Sequence, residues 1–257
     1  MKDNKVIIVG GGSSGWMTAA TLIKAFPTKD ITVIESPTVK TIGVGESTLG
    51  QINSWLDFLE IKDEDFMAFT KASYKLSIRF EDFYKKGDGG FHYPFGKVFE
   101  HQLIGPKESW FFKKKFFPKT PVSDYATSIS PQMALVNNNV LFKNENQEMP
   151  LFNFKEDVAY HFDASKFGEW LKDFYCKPKG VKHILENINS VETNEEGVKT
   201  LNKKYSADLF IDCTGFKSLL LGKALKEPFL DYTHLLPNNK AWATSVPYKN
   251  KEKELKP

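Results

Sequence analysis

Four glycines and two serines near the amino terminus, Gly10-Gly11-Gly12-Ser13-Ser14-Gly15, are spaced G-x-G-x-x-G, and a carboxylate, Glu35, follows twenty residues after Gly15. That constellation binds a dinucleotide. Glycine permits the tight turn at Gly10, lets the backbone approach a pyrophosphate at Gly12, and allows close strand–helix packing at Gly15. Glu35 is spaced to accept hydrogen bonds from a ribose diol, and its charge argues against the 2′-phosphate of NADP. A second chemistry is carried by an amine, Lys75, in Tyr74-Lys75-Leu76-Ser77-Ile78-Arg79-Phe80. Lys75, Ser77 and Arg79 alternate with Leu76, Ile78 and Phe80, the pattern of one strand with a polar and an apolar face. If the polar face lines a cavity, burial and the positive Arg79 both favour a neutral amine. Further on, Phe91-His92-Tyr93-Pro94-Phe95-Gly96 offers rings that would sandwich a flat ligand at Tyr93 and Phe95, or simply form an aromatic core cluster.

The elements that must position these groups are legible around them. Lys5-Val6-Ile7-Ile8-Val9 is a short β-branched run and reads as a buried strand; helical sequence with an apolar face runs from Trp16 to Phe26 and stops before Pro27. The free N–H groups and dipole at the start of that helix would hold phosphates, including at Ser13, Ser14 and Trp16. A second strand, Ile31-Thr32-Val33-Ile34, ends at Glu35. Near the other end, Ala207-Asp208-Leu209-Phe210-Ile211-Asp212-Cys213-Thr214-Gly215-Phe216 is either a core strand closed by a glycine turn or, as it resembles, the second nucleotide motif of FAD enzymes, with Asp212 and Gly215 beside the flavin. Paired with the opening motif it favours FAD over NAD. Asp163 can cap a helix that continues through Tyr175, with Phe167, Leu171 and Phe174 on one face. The expected fold is α/β: an FAD-binding, Rossmann-like three-layer domain of the flavin monooxygenase type, formed by 1–70 and 155–235. An aromatic-rich insertion of strands and loops, 71–154, forms the substrate side, and the polar residues 236–257 read as a connection.

Composition narrows the class further. The 257 residues are 41% hydrophobic and 26% charged, as in a globular protein with a sizeable core. A net charge of +3 is too small to imply nucleic acid, and no apolar run approaches the roughly 20 residues of a membrane helix. No signal-peptide pattern opens the chain, so a cytoplasmic protein is expected. Cys176 and Cys213 stand far apart without a CxxC pair or histidines at ligand spacing, which points to free thiols and no metal.

Between the two nucleotide motifs stands Thr41-Ile42-Gly43-Val44-Gly45-Glu46-Ser47-Thr48, and with Gly15-Trp16 it resembles the signature of the flavin-dependent halogenases of the tryptophan halogenase family. Further resemblance, in family order, lies in Tyr74–Phe80, Phe91–Gly96, Ala159-Tyr160-His161-Phe162-Asp163-Ala164 and Pro237-Asn238-Asn239-Lys240-Ala241-Trp242-Ala243. The resemblance implies FAD as cofactor, used as FADH2 from a separate flavin reductase, and a halide ion as co-substrate. It places Gly43, Val44, Gly45, Glu46 and Ser47 against the isoalloxazine and makes Lys75 the catalytic lysine. Hypohalous acid made at the flavin would reach that lysine and halogenate an electron-rich aromatic or indole, bound at Tyr93, Pro94 and Phe95. Where indole-specific members read His-Pro-Phe, this chain has Tyr93-Pro94-Phe95 with histidine displaced to His92, which sets it apart from them. The family also implies a chain about twice as long, carrying a Trp-x-Trp-x-Ile-Pro motif and an essential glutamate beyond this sequence, so 1–257 is expected to be an amino-terminal half. A flavin hydroxylase, or a flavin-binding fragment without turnover, remain the competing readings. Oligomeric state is left open, a homo-oligomer included.

Overall fold

The computed structural model describes residues 4–39, 46–98, 105–141, 148–149 and 152–240, with 242, 247 and 249. The chain divides into two compact units: 1–46, 63–71 and 162–245 form the first, and 47–62, 72–161 and 246–257 the second. This division puts 47–62 and 155–161 with the second unit, not with the nucleotide-binding segments as the sequence reading had them.

In the first unit a four-stranded parallel sheet has the order Lys182–Leu185, Asp30–Glu35, Lys5–Val9, Leu209–Asp212. The central strand has Val6, Ile7, Ile8 and Val9 all buried, because a parallel sheet must be covered on both faces. Alternation sends Ile7 and Val9, with Ile34, toward Leu201 and Leu220 and the hairpin of Val191–Asn194 and Gly197–Leu201. The helix Ser13–Ala25 packs against the first two strands and against the helical segment that begins at Ala164. Helices, sheet and hairpin make the three layers, as the sequence predicts for an FAD-binding Rossmann-like fold.

That second helical segment has two parts. Asp163 Oδ1 accepts from the Lys166 N–H at 3.0 Å and caps Ala164–Trp170, which passes into a π-helical turn, Leu171–Cys176. Phe167 and Leu171 are buried as expected, but the wider turn rotates Phe174 off their face. Phe174 is exposed and lies against Trp170 and Phe69 instead. Phe66, fully buried, meets the edges or faces of Phe162, Phe167 and Trp170, and so ties the helix Asp63–Thr70 into this unit.

The second unit corrects the expectation of a single strand through Lys75. Ser73–Lys75 pairs antiparallel with Ala159–His161, whereas Ser77–Glu81 pairs with Gly90–Pro94. The break falls at Leu76, whose carbonyl accepts the Phe95 N–H at 2.9 Å. Lys75 and Leu76 are therefore both buried, which strict alternation forbids, and Leu76 joins a core with Met133, Leu135, Val136, Phe152 and Val158. Helices Pro106–Phe116, Asp124–Ile129 and Met133–Asn138 also stand where strands and loops were expected. No described helix is long and apolar enough to cross a membrane.

Because the Asp163 side chain caps the start of Ala164–Trp170, Asp163→Ala should cost about 1 kcal/mol of stability, measurable by urea denaturation.

Candidate functional site

The opening motif is built so that backbone, not side chains, fills the turn. Gly10 has φ +117°, donates its N–H to the Ile34 carbonyl at 2.9 Å, and a Cβ there would lie 2.2 Å from the Cys213 carbonyl oxygen. At Gly15 a Cβ would lie 1.9 Å from the Gly10 carbonyl oxygen, so strand and helix touch only because glycine is present. The helix starts after Gly12 with no side-chain cap and no acid in its first turn, leaving its leading N–H groups for an anion. Ser13 Oγ donates to the Ala164 carbonyl at 3.3 Å, the Ser14 carbonyl accepts from Thr18, and Trp16 is buried.

Glu35 closes its strand with Oε2 at 2.8 Å from His183 Nε2, and the His183 ring stands edge-on to Trp16 at 5.2 Å between centroids. Its carboxylate lies over Gly11, where a Cβ would come within 2.3 Å of it. These features fit a dinucleotide: a side-chain-free turn, an uncapped helix and a carboxylate at the strand end. His183 was not found from sequence, because nothing in Lys182-His183-Ile184-Leu185 signals that its strand pairs with Asp30–Glu35.

Asp212 is spent locally. Its Oδ1 accepts from the Thr214 N–H and hydroxyl at 3.0 and 2.6 Å, and its Oδ2 from the N–H groups of Leu220 and Leu221 at 2.7 and 3.0 Å. Burial alone would raise this carboxyl, but the hydrogen bonds from Thr214, Leu221 and Leu220 together hold it below its ordinary value. Asp212 thus organises the loop that presents Gly215, which has φ +60° and open space beside it. Gly43, Val44 and Gly45 lie outside the described residues; Glu46 and Ser47 form a two-residue strand.

Lys75 is 4% exposed. Its Nζ donates to the Thr48 carbonyl at 2.9 Å and sits 5.1 Å from the centroid of the Phe95 ring. Thr48 is clamped in turn: its N–H and hydroxyl both reach the Tyr160 carbonyl, and its Oγ1 accepts the Tyr160 N–H at 2.8 Å. Burial pushes the Lys75 amine below 10.5. Arg79 plays no part in this, contrary to the sequence reading: beyond the strand break it is half-exposed and paired with Glu81. His161, which pairs with Ser73 beside the lysine, is lowered first by burial and then by the positive charge of Lys75.

Phe95 also lines a cavity of about 680 Å³ with Leu49, Tyr93, Pro94, Asp57 and Lys155, so the residue whose ring meets the amine also borders the cavity. Tyr93 is exposed and Phe95 buried. After Phe95, the chain turns at Gly96 with φ +87°; a Cβ there would lie 2.3 Å from Gln132 Nε2 and 2.7 Å from the Asp157 carboxyl, both residues buried. His92 alternates away from this cavity. It lines a second, aromatic one of about 420 Å³ with Trp110 and Tyr125 and meets Ser77 Oγ at 2.9 Å through Nδ1.

Fold and glycine turn define a Rossmann-like α/β protein of the FAD-binding type, and the second unit adds an enclosed lysine against Phe95, which also lines a largely polar cavity. The tryptophan halogenase family model matches residues 5–257, and the chain belongs to that family. It is 34% identical to tryptophan 7-halogenase RebH of Lentzea aerocolonigenes, over 100% of this chain and 51% of that protein. Against tryptophan 6-halogenase SttH of Streptomyces toxytricini the identity is 35%, over 95% of this chain and 50% of the relative. Among solved structures, VirX1 in its apo form superimposes with a TM-score of 0.90 at 41% identity, over 99% of this chain and 50% of that one. BrvH, a flavin-dependent halogenase from Brevundimonas sp. BAL3, gives 0.75 at 34%, over 91% and 47%. The chain spans about half the length of the curated relatives it matches.

A carboxyl whose folded pKa is depressed stabilises the fold above its ordinary value of 3.8 and loses that contribution as pH falls through the lowered value. The stability difference between the native protein and Asp212→Asn, followed by urea denaturation from pH 7 downward, should therefore hold to about pH 4 and shrink below it.

Proposed function

We propose that this chain supplies the FAD-binding portion and the catalytic lysine of a flavin-dependent halogenase. The observation that carries the reading is the buried Lys75 amine, enclosed by Thr48 and Phe95 in a member of this family. Gly10, Gly12, Ser13, Ser14, Gly15 and Trp16 hold the pyrophosphate end of FAD, and Glu35 takes the adenosine ribose. Asp212 and Gly215 shape the loop at the flavin end, with Gly43, Val44, Gly45, Glu46 and Ser47 as the segment against the isoalloxazine. When bound and reduced, FAD supplies the oxygen activation that oxidises halide to hypohalous acid.

The residues of the chain do the rest. The Lys75 amine, lowered by burial, holds hypohalous acid by a hydrogen bond or takes its halogen, forming an N–halogen bond and releasing water. Burial also keeps bulk water from that adduct. Phe95 and Tyr93, with Pro94 between them, hold an electron-rich aromatic ring in the cavity, and the pose selects which carbon meets the halogen. FADH2 comes from a separate flavin reductase, directly or by diffusion, and we place the protein in the cytoplasm where such reductases work.

A hydroxylase would not need halide. Assay of the protein with FAD, a reductase, oxygen and chloride, bromide or iodide against phenols and indoles should give product only with halide. Lys75→Ala should lower its rate by about a hundredfold or more. Oxygenated product without halide, or full activity in Lys75→Ala, would overturn the proposal.

A further inference from the structure

The dinucleotide reading leaves open what aims the Glu35 carboxylate. We propose that His183 is the positioning residue of the adenosine-ribose subsite: it commits Glu35 Oε2 and turns Oε1 toward the ribose diol. This rests on the FAD reading above and assigns a role to a residue that lies outside the glycine motif in sequence.

Glu35 ends its strand, where a carboxylate on a flexible stem would ordinarily sample several rotamers in solvent. Here it does not. The neighbouring strand pairs Leu185 with Glu35 and His183 with Val33, so the imidazole arises two residues back and reaches along the sheet to the carboxylate. An ionised carboxylate only accepts, so His183 Nε2 is the donor of the 2.8 Å hydrogen bond. The His183 side chain is 10% exposed and that of Glu35 25%, so the bond is sheltered from competing water.

Two further contacts fix the geometry. Trp16, 1% exposed and in the first turn of the helix that follows the glycines, meets the imidazole at 5.2 Å and 72°, an edge contact that sets the ring plane. Beneath the carboxylate lies Gly11, whose missing Cβ leaves the space that the Glu35 Cγ and carboxyl carbon occupy, within 2.4 Å of where that Cβ would be. Glu35 is thus seated between an imidazole and bare backbone next to the uncapped helix start. Among the described residues its Oε1 carries no hydrogen bond, which leaves one oxygen oriented and available. Holding an acceptor before the ligand arrives removes part of the ordering cost of binding.

The test is FAD titration by flavin fluorescence on the purified chain, with thermal midpoints recorded for every variant. His183→Phe keeps a ring against Trp16 but has no donor, and should weaken FAD binding about tenfold. His183→Gln restores a donor and should return affinity to within about threefold of native. In a Glu35→Ala background, His183→Phe should change affinity by less than about twofold, because nothing remains to be aimed. A merely structural histidine would weaken binding equally in both backgrounds, and that additive loss would overturn the inference, as would unchanged binding in His183→Phe. Failure of the native chain to bind FAD at all would sink the cofactor reading itself, a result distinct from either of these.

Discussion

A lysine amine buried against one backbone carbonyl and one aromatic face is the constraint around which the second unit is organised. Removing an ammonium from water costs several kcal/mol unless its charge is compensated, and Thr48 and Phe95 offer a neutral dipole and a ring quadrupole, not a carboxylate. The environment therefore holds the amine's pKa below its ordinary value. To hold it there, the chain closes a short circuit: Lys75 to the Thr48 carbonyl, Thr48 to Tyr160, and the Tyr160 strand back to the Lys75 strand. The break at Leu76 brings the Phe95 N–H onto the same stretch, so amine and ring are fixed by neighbouring backbone atoms.

The first unit solves a different problem by the same economy of side chains. Gly10 and Gly15 admit no Cβ, because the Cys213 and Gly10 carbonyls pack into the space that a side chain would take. Asp212 satisfies four donors of the loop after its strand, which places Gly215 without using a bulky residue. The glycine turn and the buried amine thus reside in separately packed units of one chain. Each is stabilised by its own core: Ile7, Val9 and Ile34 in one, Leu76, Met133 and Phe152 in the other.

What was legible in the sequence follows from how local each feature is. Strand, glycine turn, helix, strand and Glu35 are contiguous, and their periodicity and spacing survive in the fold. Asp163 as a cap was legible for the same reason. The partition of Tyr74–Phe80 into two strands was not, since it depends on partners some 15 and 85 residues away that claim its two halves. With that error went the supposed Arg79 neighbour. Helices between Pro106 and Asn138 were hidden by short length and by prolines at 118, 121 and 131. His183 and Asp157 matter through contacts over more than 60 residues of chain, which no motif announces.

The most direct test is site-specific titration of the Lys75 Nζ by NMR of lysine-labelled protein, assigned by the resonance lost in Lys75→Arg. Burial as the cause requires a pKa below 10.5 in the native protein that does not move in Arg79→Gln. A pKa at or above 10.5, or one that rises when Arg79 loses its charge, would contradict the enclosed, burial-tuned amine on which the account depends.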